Sequence, residues 1–410
     1  MEHHLSVHRR PIHLSTSLNI HYAIIQGLYW AASASMYAFI VVFLTARGFS
    51  TSEIGCINAV RTGIAIAAQF FYAYIGDKYK RFPLKYLITI IIAVSILANF
   101  ILQFTRPGFL GMAALFLVFG ITECSIVSLM DSLALQFVNI GVRIQYSTCR
   151  SIGSIIYAFI CFGLGPVLDL LGAETVVWLH GILLILYVIA ILTFLTFRSY
   201  TDERTYKALP RNGSVKALLV NHPQYRWVLI GNCILCFGFW PITNFLANIV
   251  ETTGGDNTVL GIALFVGAAS EMPMMAFLFP RLLRRFSSQQ LLFLATAMHL
   301  VRWVVLIFLH NPWVIVAWQS MQMFSFALSL PAAVQYINDN IEEENRIKGQ
   351  TLYNMAGNIG GTVGIALFGV VLQNTNTTTM ISICCVIVLL AVLTMLRMLT
   401  SPAKIEAKEA

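Results

Sequence analysis

Twelve long apolar segments follow one another along this chain, and their length is the strongest constraint on its fold. A helix needs about 20 apolar residues to cross a bilayer. Only helices and closed barrels satisfy the backbone in hydrocarbon, and these runs lack the ten-residue alternation of a barrel strand. They therefore predict transmembrane helices at 17–45, 53–75, 85–104, 107–138, 147–172, 175–197, 225–251, 258–282, 288–309, 312–338, 350–373 and 376–398.

Composition indicates the same class. Hydrophobic residues make up 58% of the 410 residues and charged residues only 11%, whereas a soluble chain carries about 25% charged residues. The eight cysteines lie within or beside apolar segments, which does not suggest a disulfide framework. There is no recognisable signal peptide, nucleotide-binding loop, zinc motif or nucleophile elbow. We therefore expect a membrane protein that is not an enzyme and has no cofactor, metal or nucleic-acid partner.

Basic residues are concentrated in alternate connecting segments. The opposite set has little beyond Arg47 and Arg106. The positive-inside rule then places both termini in the cytoplasm, which requires an even number of spans. We expect a multi-pass monomer in the plasma or inner membrane.

The two halves of the chain are similar to each other. Residues 76–82 and 280–286 are basic turns that follow the second and eighth spans, and AVQYI at 333–337 matches ALQFV at 134–138. Related halves are a common transporter plan. The expected fold is all-α, with two pseudo-symmetric six-helix bundles at 1–197 and 225–410, joined by a cytoplasmic linker at 198–224.

Six charged residues interrupt the apolar segments. One charge at mid-bilayer costs about 2.5–3.5 kcal/mol, so these side chains are expected to face one another or a water-filled cavity. Such residues usually belong to a solute or proton pathway. They are Arg61, Glu123, Asp131, Arg150, Glu271 and Arg302.

The turn after the second span reads GDKYKR at residues 76–81. This segment resembles, as a partial match, the signature of the major facilitator superfamily. The resemblance implies a gate in which Asp77 and Arg81 take part, because Asp77 can pair with a cytoplasmic arginine or with a helix terminus. An ordinary solvated basic turn is the alternative.

The fourth span contains LMDSLA at residues 129–134, and YSTCRSIG at residues 146–153 begins the fifth. These segments resemble the oligosaccharide:proton symporter and phenylpropionate-permease-like branches, which include lactose permease. The resemblance implies that Asp131 and Arg150 form a charge pair that binds the solute, with Tyr157 as a stacking aromatic. A guanidinium binds hydroxyls or a carboxylate in bidentate fashion. A purely structural ion pair remains the alternative.

The second half extends this resemblance, with one departure. Glu271 and Arg302 fall where the family has a carboxylate and an arginine tied to proton coupling. His299 lies one helical turn before Arg302 on the same helical face, so we expect it to share the proton. The family's titrating histidine and glutamate correspond here to Gln322 and Ser325, neither of which titrates usefully. The family's mechanism therefore does not transfer intact.

Other polar residues complete the predicted site. Asn244 and Asn248 lie one turn apart on the seventh span and are expected to line the cavity with Gln322. Arg61 and Glu123 are predicted to form a structural charge pair.

These features predict a secondary transporter that moves a small polar solute, such as a sugar, a nucleoside or an organic acid, by alternating access. Proton-coupled symport and carbohydrate transport are the favoured interpretation. An uncoupled facilitator, an exchanger or an exporter of the same fold is the alternative.

Overall fold

The computed structural model describes residues 12–78, 83–138, 144–195 and 215–400, and regular structure there is helical. We number the long helices in chain order. They are α1 (Ile12–Ser33, a π turn at Ala34–Ala38, then Ile40–Ala46), α2 (Thr51–Lys78), α3 (Leu84–Phe104), α4 (Phe109–Phe119, a π turn at Gly120–Cys124, then Val127–Val138), α5 (Tyr146–Leu171), α6 (Thr175–Thr193), α7 (Pro223–Asn244 and Leu246–Thr252), α8 (Asn257–Pro273, a π turn at Met274–Leu278, then Phe279–Leu282), α9 (Ser288–Ile307), α10 (Pro312–Trp318, a 3₁₀ turn at Gln319–Met323, then Phe326–Asn340), α11 (Arg346–Asn374) and α12 (Thr377–Thr400).

Most of these helices meet the requirements of a membrane span. Within the described ranges, ten are long and apolar enough to cross a bilayer, and the two segments of α1, bent by 46°, would make an eleventh span. Helix α2 is not among them, but its 28 residues correspond to about 42 Å at 1.5 Å per residue. Of the predicted linker, residues 198–214 lie outside the described residues, and Val215–Asn221 form a short helix.

Each half of the chain packs in the same pattern. In the first half α1 packs against α5 and α6, α2 against α4, and α3 against α6. In the second half α7 packs against α11 and α12, α8 against α10, and α9 against α12. Every pair in the first half has its counterpart six helices later, as expected for related halves.

The outward surface is apolar, as a surface in contact with lipid must be. Large side chains on α3, α6 and α12 are about half exposed, among them Leu97, Phe100, Ile182, Ile189 and Val386. A protein surrounded by water rarely exposes so large a continuous apolar surface. These faces therefore mark the lipid boundary.

The two halves meet at two symmetric helix crossings, α2 with α11 and α5 with α8. A Cβ on Gly55 would lie 2.7 Å from the backbone oxygen of Ile365, and a Cβ on Gly261 would lie 2.5 Å from that of Cys161. Glycine is needed at both positions because the backbones approach too closely for a side chain.

These crossings lie toward one face of the molecule, which we call the loop face because the α1–α2 and α7–α8 connections lie there. Additional contacts join the halves in the same region. The Thr51 hydroxyl donates to the Gly369 carbonyl at 3.2 Å, and the Thr62 and Thr362 hydroxyls lie 3.0 Å apart. Thr62 is about 17 Å along α2 from Thr51 at 1.5 Å per residue, so this interface reaches the middle of the helix.

Candidate functional site

In the first half, Asp131 is the centre of a polar cluster formed by α1 and α4. The Tyr22 hydroxyl and the Gln26 amide each lie 3.4 Å from its Oδ1, and Gln26 also donates to Tyr22 at 2.7 Å. Gln26 is fully buried, whereas Asp131 is only partly buried. The carboxylate is thus held by donors on one side and partly accessible on the other.

Arg150 does not form the direct ion pair with Asp131 that the sequence suggested. Its guanidinium lies over the indole of Trp30, 4.1 Å from the ring centroid, and it donates to the Ser154 hydroxyl at 3.4 Å. Stacking on an aromatic face stabilises a guanidinium that has lost some of its hydration. Its charge still acts electrostatically on Asp131.

Trp30 contacts Arg150, Gln26 and Tyr157, and the sequence did not identify it as a site residue. Its indole N–H donates to the Gln26 Oε1 at 3.3 Å, and its ring meets Tyr157 edge-on with centroids 6.4 Å apart. A Cβ on Gly153 would lie 2.4 Å from the indole, so that glycine makes room for Trp30. The signal was weak, because an aromatic in an apolar segment is ordinary.

In the second half, Gln322 bridges Glu271 and Arg302. Its amide N–H donates to Glu271 Oε1 at 2.6 Å, and its carbonyl accepts from Arg302 at 3.0 Å. A neutral side chain thus lies between Glu271 and Arg302. The 3₁₀ turn of α10 carries both Gln319 and Gln322, and Gln319 also accepts from Arg302.

The burial of Arg302 requires these partners. The side chain is 2% exposed and also lies 4.4 Å from the Trp303 ring centroid. His299, proposed to share a proton here, is 1% exposed and packs edge-on against Phe239 at 4.9 Å. Its Nδ1 has no hydrogen-bond partner in the described part of the chain, and its part in proton coupling stays a prediction.

The two seventh-span asparagines differ in position. Asn244 accepts a hydrogen bond from the Asn58 amide of α2, so it connects the halves. The buried Oδ1 of Asn248 has no partner among the described residues. Neither asparagine contacts Asp131, Arg150 or Glu271 in the hydrogen bonds of the described chain.

Arg61 and Glu123 do not pair directly either. Glu123 forms an ion pair with His180 at 3.2 Å and accepts from the Tyr37 hydroxyl at 2.7 Å. Arg61 bonds Asn58 at 2.9 and 2.6 Å and lies over the Tyr37 ring, 4.0 Å from its centroid. Tyr37 therefore lies between the two charges, and His180 is the partner that the sequence reasoning overlooked.

The predicted gate residues cannot be described as a pair. Asp77 lies in the last turn of α2, with its side chain outside the description, and Arg81 lies outside the described residues. A different carboxylate joins the halves on the loop face. Asp169 accepts from the backbone N–H and hydroxyl of Thr258 at 2.8 and 2.6 Å, and from the Asn257 amide at 2.8 Å.

Arg150 lies within electrostatic range of a carboxylate in each half, Asp131 in the first and Glu271 in the second. Asp131, Arg150, Glu271 and Gln322 are all only partly buried, so these side chains are candidates to meet a solute between the halves.

Helices arranged as two related halves, with charged side chains gathered between them, define a membrane transporter of the major facilitator fold and not an enzyme. The chain belongs to the MFS_1 like family, whose model matches residues 17–383. The superfamily resemblance in the sequence is therefore confirmed.

Relatives and solved structures agree with this assignment. The chain is 25% identical over 339 residues to the maltose permease of Geobacillus stearothermophilus, covering 81% of this chain and 82% of the relative. It is 24% identical over 352 residues to the uncharacterized transporter YwbF of Bacillus subtilis (strain 168), covering 82% and 83%. A crystal structure of the nucleoside transporter NupG, in a mutant form, matches with a TM-score of 0.79 at 14% identity, covering 93% of this chain and 99% of that chain.

Proposed function

We propose that this protein is a proton-coupled symporter for a small hydroxyl-bearing solute, a sugar or a nucleoside. The observation that carries the proposal is that Arg150, which lies over the Trp30 ring of the first half at 4.1 Å, is within electrostatic range of both Asp131 and Glu271 of the second half. A solute bound beside Arg150 would contact both halves. Alternating access around such a point is the mechanism that this fold supports.

The chemistry around Arg150 favours a neutral, hydroxyl-rich solute. The guanidinium is stacked on Trp30, so its edge can donate to two hydroxyls. Asp131 accepts hydroxyl protons, and the Trp30 and Tyr157 rings offer apolar faces. Arg150 and Arg302 balance Asp131 and Glu271, so the site has no excess positive charge that would favour an organic acid.

The similar proteins support the same class of solute. One relative is a maltose permease and one solved neighbour is a nucleoside transporter. Both solute classes combine hydroxyl groups with a ring face. We therefore choose maltose and uridine as the first probes.

Glu271 is the proposed coupling group in the solute site. It accepts from Gln322 and lies within electrostatic range of Arg150 and Arg302. Solute binding that engages Arg150 would weaken a positive charge that favours the ionised form of this carboxylate. Proton and solute binding are linked in this way without the titrating residues that the family has on the tenth span.

The decisive experiment measures uptake into proteoliposomes. A gradient of one pH unit should concentrate the solute about tenfold for one coupled proton, because one unit corresponds to about 1.36 kcal/mol. Glu271→Gln should abolish this accumulation and preserve exchange of labelled for unlabelled solute. Accumulation that ignores the pH gradient in the unmodified protein would favour the uncoupled facilitator instead.

The contacts between the halves also bear on the conformational state. The halves are joined on the loop face. If the termini are cytoplasmic, as the basic segments predict, the loop face is external and this state is closed to the outside. In right-side-out vesicles that take up the solute, a protease should reach the termini only after permeabilisation if they are cytoplasmic.

A further inference from the structure

A buried acid–base pair lies outside the solute site. His180 of α6 and Glu123 of α4 are 3.2 Å apart, with side-chain exposures of 0% and 4%. Nothing in the proposed solute-binding mechanism uses them. A buried ionisable pair inside a membrane protein is costly unless it has partners, and it usually marks a functional site.

The hydrogen bonds fix the protonation of this pair. Nδ1 of His180 lies 2.9 Å from the carbonyl oxygen of Ala32, which can only accept, so Nδ1 carries a hydrogen. A neutral imidazole then presents a lone pair at Nε2. An ionised Glu123 also presents only lone pairs, so the contact between Nε2 and Oε1 requires one proton between them.

Groups from five helices surround this proton and keep it from water. Tyr37 donates to Glu123 Oε2 at 2.7 Å, and Ser95 donates to Oε1. Tyr29 donates to the Glu123 backbone at 3.0 Å. Among the described residues, the titratable and charged groups that interact with Glu123 itself are Tyr29 and Tyr37 of α1, Arg61 of α2, Cys124 of α4 and His180 of α6.

This pair is connected to the interface between the halves. The hydroxyl of Tyr37 bonds Glu123, and the guanidinium of Arg61 lies over the face of the same ring, 4.0 Å from its centroid. Arg61 holds the Oδ1 of Asn58 with two N–H groups, which leaves the Asn58 amide N–H directed to Asn244 of α7. A polar path therefore runs from Glu123 to a contact with the other half.

Charge balance gives this path two states. With the shared proton present, the His180–Glu123 pair is neutral and Arg61 remains with Asn58. Without the proton the pair carries one negative charge, and Nε2 and Oε1 repel each other. Arg61, whose charge already interacts with Glu123, is then attracted to the carboxylate and leaves Asn58. The direct Arg61–Glu123 pair would form in this second state.

We propose that His180 and Glu123 form a second proton-binding site, distinct from Glu271, that controls the loop-face contact between the halves. Proton binding keeps Arg61 on Asn58 and supports the Asn58–Asn244 contact, and proton release transfers Arg61 to Glu123 and loosens that contact. This inference rests on the proposed symport, because it gives a proton a role in opening and closing.

The test measures loop-face opening without any solute. Spin labels attached through p-acetylphenylalanine at Arg106 and His310, exposed positions in different halves, leave the native cysteines unchanged. In the reconstituted protein, a longer-distance population should grow as pH rises, over the roughly two pH units of a single-proton titration. A distance distribution that does not change between about pH 5 and pH 9 overturns the inference.

Variants separate this site from the solute site. Glu123→Gln mimics the protonated carboxyl, and it should give the short distance at every pH. Glu271→Gln, the matched change in the other half, should keep the pH response. Loss of the response in Glu271→Gln together with its retention in Glu123→Gln overturns the assignment.

A second variant tests the inference if Glu123→Gln folds poorly. Asn58→Ala removes the link between Arg61 and Asn244 and leaves the pair itself intact, so its distances should no longer depend on pH. A pH response equal to that of the unmodified protein contradicts the path. Proton-driven maltose or uridine uptake that persists in Glu123→Gln refutes this inference alone, whereas uptake indifferent to the pH gradient in the unmodified protein refutes the proposed symport.

Discussion

Replacing Gly261 with alanine should open the loop face. The new Cβ would lie 2.5 Å from the backbone oxygen of Cys161, whereas ordinary contacts begin at 3.4 Å. The α5 and α8 backbones would therefore have to separate by roughly 0.9 Å. Because this contact joins the two halves, its loss affects the closed state selectively, and the gain in helix propensity is common to both states.

The size of the effect follows from the cost of overpacking. Inserting a methyl group into a tight contact costs about 1–3 kcal/mol, which would shift the ratio of closed to open molecules by about 5- to 150-fold. The distance between spin labels at Arg106 and His310 reports this ratio directly. Gly55→Ala at the symmetric crossing, with its Cβ 2.7 Å from the Ile365 oxygen, should act in the same direction.

Gly163→Ala provides the control. Gly163 is also on α5, but a Cβ there would meet nothing within 4 Å. Its variant should give the distance distribution of the unmodified protein. If Gly261→Ala and Gly163→Ala are indistinguishable, the close crossing does not stabilise the closed state and the reasoning fails.

Three further substitutions test the site and the interface. Gln322→Ala removes the amide that bridges Glu271 and Arg302, so the free energy of unfolding should fall by about 1–3 kcal/mol. A thermal unfolding temperature equal to that of the unmodified protein would contradict the bridge. Arg150→Lys keeps the charge but loses the planar stacking on Trp30, and the KM for maltose or uridine uptake should rise about tenfold; an equal KM would argue against the stacked arginine as a solute ligand. Asp169→Asn weakens the exposed contact with Asn257 and Thr258, which is worth about 0.2–1 kcal/mol. The spin-label distances in this variant should increase as in Gly261→Ala, but by less. Unchanged distances would exclude a role for Asp169 in closing the loop face.

Much of the architecture could be predicted from the sequence because hydrocarbon leaves a chain few alternatives. Each apolar run must satisfy its backbone internally, so each one becomes a helix. The similarity between residues 134–138 and 333–337 anticipated the related packing of α4 and α10. The same cost argument required that Asp131, Arg150, Glu271 and Arg302 avoid lipid.

The partners of these charges could not be predicted in the same way. Arg150 lies on Trp30, Gln322 separates Glu271 from Arg302, and Tyr37 separates Arg61 from Glu123. Asp169 was missed because it lies at a helix end, where a carboxylate is unremarkable in sequence.

The sequence by itself determined that this chain spans a membrane as repeated helices and that its buried charges must meet. Only the tertiary structure decided which charges meet and through which neutral side chains. The physical reason is that helical periodicity specifies the face on which a residue lies, whereas a hydrogen bond depends on the rotation and separation of neighbouring helices to within about an ångström.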